Sequence, residues 1–121
     1  MRVDTRPRKR NAPRPAEKRA PGFLQWLRGR VCLAASAGCS GKIEAAHVDY
    51  AGGKGVGTKV ADKYAVPLCS AHHRSQHSMG WSSFEREELE GFDGAALTAA
   101  FKYWHMWPGR IAWERKLEAG R

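Results

Sequence analysis

No stretch of the chain approaches the ~20 consecutive apolar residues that a membrane-spanning helix needs. The basic N-terminal stretch has no apolar core of the signal-peptide kind, so the expected compartment is the cytoplasm, with its reducing chemistry. Cysteine is scarce. There are three, which cannot all pair with one another, and Cys32, Cys39 and Cys69 stand near histidines, so metal ligation is expected in place of disulfides. The glycine-rich stretch lacks the Gly-Lys-Ser/Thr ending of a phosphate-binding P-loop, and no His-Glu-x-x-His motif of a hydrolytic zinc enzyme occurs. No segment repeats internally.

Acidic residues are also few. Twelve Asp and Glu stand against 21 Lys and Arg, for a net charge of +9. That balance speaks of partners and not of fold. Nucleic acid is the leading partner, since each neutralised phosphate releases counterions. An anionic membrane is the rival, but no basic amphipathic helix accompanies the charge.

The 121 residues allow one compact domain. Residues 1–21 carry Arg2, Arg6, Arg8, Lys9, Arg10, Arg14, Lys18 and Arg19, broken by four prolines, with almost nothing apolar to bury. They read as a disordered basic arm, either a DNA-binding device or a solubilising tail. The domain is then 22–121, and a core of roughly 90 residues is marginal on burial alone.

The pattern along the domain is mixed, α+β. Phe23, Trp26 and Leu27 have helical spacing over 22 to about 28. Residues 43–48 (IEAAHV) read as a strand with Ile43, Ala45 and His47 on one face. Residues 51–63 read as a flexible basic loop with Lys54, Lys59 and Lys63. Residues 64–68 (YAVPL) form a second strand, with Pro67 at an edge or end. A helix over 70–79 stops at Gly80, and Ser82 with Glu85 matches a capping box for another through about 89. Asp93 is placed to cap a further helix whose buried face is Leu97, Ala100, Phe101 and Trp104, ended by Pro108. A last short helix spans 111–117. Trp81, Trp104, Trp107 and Trp113 are assigned to packing in preference to base stacking.

Four of the five histidines fall between 47 and 77, beside the cysteines. Two sites can be drawn. Cys69-x2-His72 has knuckle spacing, and Cys32-x6-Cys39 can form the opposing loop of a Cys3His site for structural zinc, which would add its binding free energy to a small core. His73 and His77 share one helix face, while His72 points roughly 100° away, so adjacent histidines can serve different metals. With His47 from the first strand they make the second site.

Strand, loop, strand and helix in this order resemble the ββα-metal core of HNH (His-Me finger) nucleases. The stretch EAAHVDYAGGKGVGTKVADKYAVPLCSAHHRSQHSMG is similar to the phage and prophage recombination-associated members, in its AH strand, Gly/Lys loop, VPLC turn and HHxxxH helix. The resemblance covers about 32–80. It implies a DNA endonuclease with His47 as general base, oriented by Asp62, and a catalytic metal on His73 and His77. It also implies a structural zinc on Cys32, Cys39, Cys69 and His72, and a recombination protein as partner. One departure stands out: Ala46 occupies the position before the base, where many relatives carry another metal ligand. Asp49, ahead of Glu44, is the candidate to replace it, or His47 is itself a ligand. Magnesium, manganese and zinc all stay open for the catalytic metal. Lys54, Lys59, Lys63 and Arg74, with Arg8, Lys9 and Arg10 of the arm, are candidates to hold phosphates, which positions DNA without reading sequence. Little sequence specificity and a monomer are expected. The competing readings are a zinc-dependent DNA-binding module without catalysis and a protein-binding zinc domain.

Overall fold

Alternating small and apolar residues on either side of the glycine-rich loop build an antiparallel ribbon. In the computed structural model, which describes residues 15–52, 60–89 and 91–121, strand β1 (Ile43–His47) pairs with β2 (Ala65–Cys69). The register sets Ile43 opposite Cys69 and His47 opposite Ala65. A two-stranded ribbon consists only of edges, which is why Pro67 fits the middle of β2. The Pro67 carbonyl accepts the Leu33 N–H at 2.8 Å, laying the Cys32 loop along β2.

Among the described residues four helices surround the ribbon: α1 (Pro21–Leu27), α2 (Ser70–Glu88), α3 (Ala95–Met106) and α4 (Arg110–Ala119). The architecture is mixed α+β. Among the described residues no helix is long and apolar enough to cross a membrane. α1 starts at Pro21, whose missing N–H costs nothing at a first helical position, and buries Phe23 and Leu27 completely. α2 is two helical segments meeting at Gly80, whose φ of 81° and ψ of 161° break the helix where the sequence places its stop.

Two apolar clusters share the ribbon. Ala46, Val48, Val66 and Leu68 pack with Trp81, Phe84, Ala96 and Ala100. Ala20, Phe23, Leu27, Ala65 and Trp104 form the other, with Trp107 and Trp113 leaning on Trp104 at 5.5 and 5.2 Å between ring centroids. The tryptophans therefore pack, as their helical spacing predicts.

The structure corrects several expectations. Residues 15–20 are not part of a detached arm: they include a 3-10 turn at Ala16–Lys18, Ala20 is 1% exposed, and the Trp113 indole donates to the Arg19 carbonyl at 2.8 Å. The far end of the 51–63 loop is packed as well, since Val60, Ala61 and Asp62 are buried. Ser82 and Glu85 make no capping box. Ser82 Oγ donates to Asp93, and the buried Glu85 carboxylate accepts the N–H groups of Gly94 and Ala96, satisfying the start of α3 from a neighbouring helix. Asp93 is therefore not its cap. Phe101 is half exposed and rests against Tyr64, because the inward face of α3 is the small-residue row Ala96 and Ala100, which brings the helix close to the ribbon.

Candidate functional site: two adjacent Cys/His clusters

The first turn of α2 separates two clusters. Cys69 is the N-cap of the helix, and its sulfur accepts the His72 N–H at 3.4 Å. The cap turns the His72 imidazole back toward the cysteines. His72 Nδ1 is 3.1 Å from Cys69 Sγ, 3.5 Å from Cys39 Sγ and 3.6 Å from Cys32 Sγ. All four ligand atoms lie within 4.8 Å of one another. Zinc bonds of about 2.3 Å to sulfur and 2.0–2.1 Å to nitrogen, at tetrahedral angles, require S···N separations of about 3.5 Å. The set therefore fits a metal ion such as zinc. The loop carrying Cys39 is tied to the helix start by Ala71 N–H to Ser40 and Ser70 N–H to Lys42, at 3.1 and 2.9 Å. Gly41 makes this approach possible: its φ is +85°, and a Cβ there would lie 2.7 Å from Ser70 Cβ. Outside the cluster, His72 Nε2 faces Ser36 Oγ at 3.4 Å and the Glu88 carboxylate at 3.6 Å, partners that fix a ligating imidazole.

The thiols differ. Burial pushes Cys32 up to about 11. Burial also drives Cys69 upward, but hydrogen bonds from the His72 N–H and the main chain at Ser40, with the His72 imidazole and Cys39, outweigh it and bring Cys69 down to about 6. Cys69 is thus available as thiolate well before Cys32.

The second cluster faces a cleft of about 820 Å³ on the other side of the same helix turn. His73 and His77 stand one turn apart, with their Nε2 atoms 3.2 Å from each other. Two imidazoles on one first-row ion, at metal–nitrogen bonds near 2.1 Å, come about 3 Å apart, so this pair also suits a shared ion. Glu44 on β1 accepts the His73 Nδ1–H at 2.7 Å, which leaves the Nε2 lone pair directed at His77. The hydrogen bond from His73, and a second from Ser70, hold the Glu44 carboxyl below its ordinary range.

His47, at the end of β1, lines the same cleft. Its Nε2 lies 3.0 Å from Asp62 Oδ1, and Asp62 is 2% exposed. The second oxygen of Asp62 accepts the Ala20 N–H at 2.8 Å, and the Asp62 N–H donates to the Lys18 carbonyl at 2.9 Å. A buried carboxylate held this way fixes the imidazole so that Nε2 carries the proton and Nδ1 can accept one.

The structure brings His47 and Asp62 together, and separately His73, His77 and Glu44. Ala46 points into the core with no exposure, so that position offers no ligand. Asp49 lines the cleft but does not join the two imidazoles. Among the described residues the Cys3His set alone gathers three or more His, Cys, Asp or Glu ligand atoms. Glu44 serves instead as the hydrogen-bond partner of His73. Lys63 is half-buried with its ammonium 5.3 Å from the Tyr64 ring centroid, and Arg74 is exposed beside Glu44. Lys54, Lys59, Arg8, Lys9 and Arg10 lie outside the described residues. Sequence reasoning missed Gln76, which shares the His73 and His77 face of α2 and is 6% exposed. It missed as well the Tyr50 hydroxyl donating to Glu85 across the cleft wall at 2.5 Å. Following the helix face past the histidines would have found Gln76; nothing local marks Tyr50.

The profile of a family described as a protein of unknown function (DUF968) matches residues 1–98. No curated protein and no solved structure matches the chain.

Proposed function

The chain belongs to the DUF968 family, and we propose that it is a metal-dependent DNA endonuclease of the HNH type, stapled by a structural zinc on Cys32, Cys39, Cys69 and His72. The observation that carries this reading is that His47, 3.0 Å from the buried Asp62 behind it, lines one cleft with His73 and His77. A base fixed by a buried carboxylate and two imidazoles converging within 3.2 Å are the two halves of phosphodiester hydrolysis.

In this mechanism His47 Nδ1 takes a proton from water, and the hydroxide attacks the phosphorus in line with the leaving 3′ oxygen. Asp62 keeps the Nε2 proton in place and offsets the charge that His47 gains. Glu44 holds His73 in the tautomer that exposes Nε2. His73 and His77 would hold a divalent ion, which would supply electrostatic stabilisation of charge developing on the phosphate. The net charge of +9 favours DNA over a small anionic substrate, and phosphate contacts alone give affinity without sequence preference.

One observation favours a second reading, a DNA-binding zinc module without catalysis: no third protein ligand joins His73 and His77 among the described residues. Supercoiled-plasmid conversion separates the two. The expected result is nicking by wild type in Mg²⁺ or Mn²⁺, lost in His47→Ala. DNA binding with retained zinc and no cleavage in any metal would replace the nuclease by the module.

A further inference from the structure

Gln76 is buried to 6% exposure on the floor of the cleft, on α2 between His73 and His77. Among the described residues its side-chain amide makes no hydrogen bond. An amide carries two donors and an acceptor, and those of Gln76 are unpaired within the protein but still reach solvent through the cleft. Leucine or methionine would fill the same floor but present no polar group to the cleft. The surface the amide keeps opens into the cleft, so an occupant that displaces water there gains by pairing with it.

The surroundings narrow that occupant. Asp93 and Glu85 line the same cleft, and their carboxylates repel a phosphate placed beside them. A phosphate offers acceptors only and would leave the amide oxygen unmatched. A nucleobase edge offers a donor beside an acceptor, and an adenine N6/N7 edge takes two bonds from a glutamine amide. The Tyr50 and Trp81 rings, also in the wall, suit a flat apolar face. We infer that Gln76 forms the floor of a nucleobase subsite, which takes an unpaired adenine-like base next to the phosphodiester lying at the histidine end of the cleft. The inference rests on the nucleic-acid reading above and adds a preference to it. An enclosed base has left its stack, so single-stranded or frayed DNA is the substrate form.

The test uses the full zinc-loaded chain with two probes, 2′-deoxyadenosine 5′-monophosphate and 2-deoxyribose 5-phosphate, read by saturation-transfer NMR and titration. The expected result is saturation of the base protons in wild type. Gln76→Leu should bind the nucleotide about tenfold more weakly and the sugar phosphate equally well. Gln76→Met reads the same loss should the leucine variant fail to fold. Equal nucleotide affinity in wild type and variant, or saturation confined to sugar protons, overturns the subsite. Plasmid nicking is scored separately. A chain that binds the base and cuts nothing keeps the subsite and loses the catalytic reading; one that cuts with nucleotide affinity indifferent to residue 76 does the reverse.

Discussion

Asp62 divides its carboxylate between the His47 imidazole at 3.0 Å and the backbone N–H of Ala20 at 2.8 Å. The group that orients the proposed base is thus itself held by the segment entering α1. Asp62→Asn keeps the size but can turn an amide N–H toward Nε2, which moves the imidazole proton to Nδ1 and removes the base. Cleavage should fall by about 10²-fold or more, and by about 10²–10⁴-fold in His47→Ala, with plasmid binding in each close to wild type. Gel-shift titration beside the nicking assay checks this; equal loss of binding and cleavage would place both residues in DNA contact instead.

The proposed metal site on His73 and His77 should be separable from the Cys3His cluster. Manganese titration followed by electron paramagnetic resonance should find one site in wild type beyond the tightly held zinc. His73→Ala should lose it while zinc stays at one per chain. Glu44→Ala should weaken manganese by about 10–100-fold, because it frees the His73 ring to rotate and change tautomer.

Zinc should be inseparable from the fold. Elemental analysis is expected to give one equivalent, and Cys69→Ser or a strong chelator should abolish the cooperative melt followed by circular dichroism. Structural zinc contributes on the order of 10 kcal/mol in small domains, more than most domains of this size have in reserve. A Cys69→Ser protein with an unchanged melt would show that burial alone holds the ribbon and α2 together.

Acid should release that zinc in a definite direction. The Cys69 thiol is lowered in the fold from 9.0 to about 6. Its thiolate therefore contributes stability that is complete above pH 9, declines as pH falls and is gone below about 6. Bound metal competes with the proton and extends the thiolate to lower pH still. Zinc release followed with a colorimetric chelator should have its midpoint below pH 6; release that begins on raising the pH from 7 would contradict the sign.

Glu85 is a structural test independent of any activity. Its carboxylate accepts from Tyr50, Gly94 and Ala96 while 2% exposed. Glu85→Ala strands three donors, and urea unfolding should show a loss of about 2–4 kcal/mol. Glu87→Ala, two positions along and exposed, should be near neutral.

Much of this was legible in the residues because spacing encodes direction. The 100° between successive helix positions is enough to send His72 to the cysteines and His73 to the cleft, and the alternation of a strand is enough to turn Ala46 inward and His47 outward. Local patterns failed where partners come from elsewhere in the chain. Ser82 and Glu85 have the spacing of a capping box, yet the tertiary neighbour Asp93 and the N–H groups at the start of α3 claim them. Phe101 fits the apolar stripe of α3, but the ribbon accepts only alanines at that approach. The polar composition of residues 15–20 conceals that the Asp62 carboxylate and the Trp113 indole bind their backbone, which composition cannot report.

The junction between His72 and His73 also limits how this chain can vary. Exchanges of side chain along the first turn of α2 alter one cluster or the other. A single residue inserted after His72 would instead rotate everything beyond it by about 100° and carry His73 and His77 off the cleft while Cys69 and His72 stayed in place. Length in this turn is therefore fixed more tightly than composition, and homologous chains should align through it without a gap.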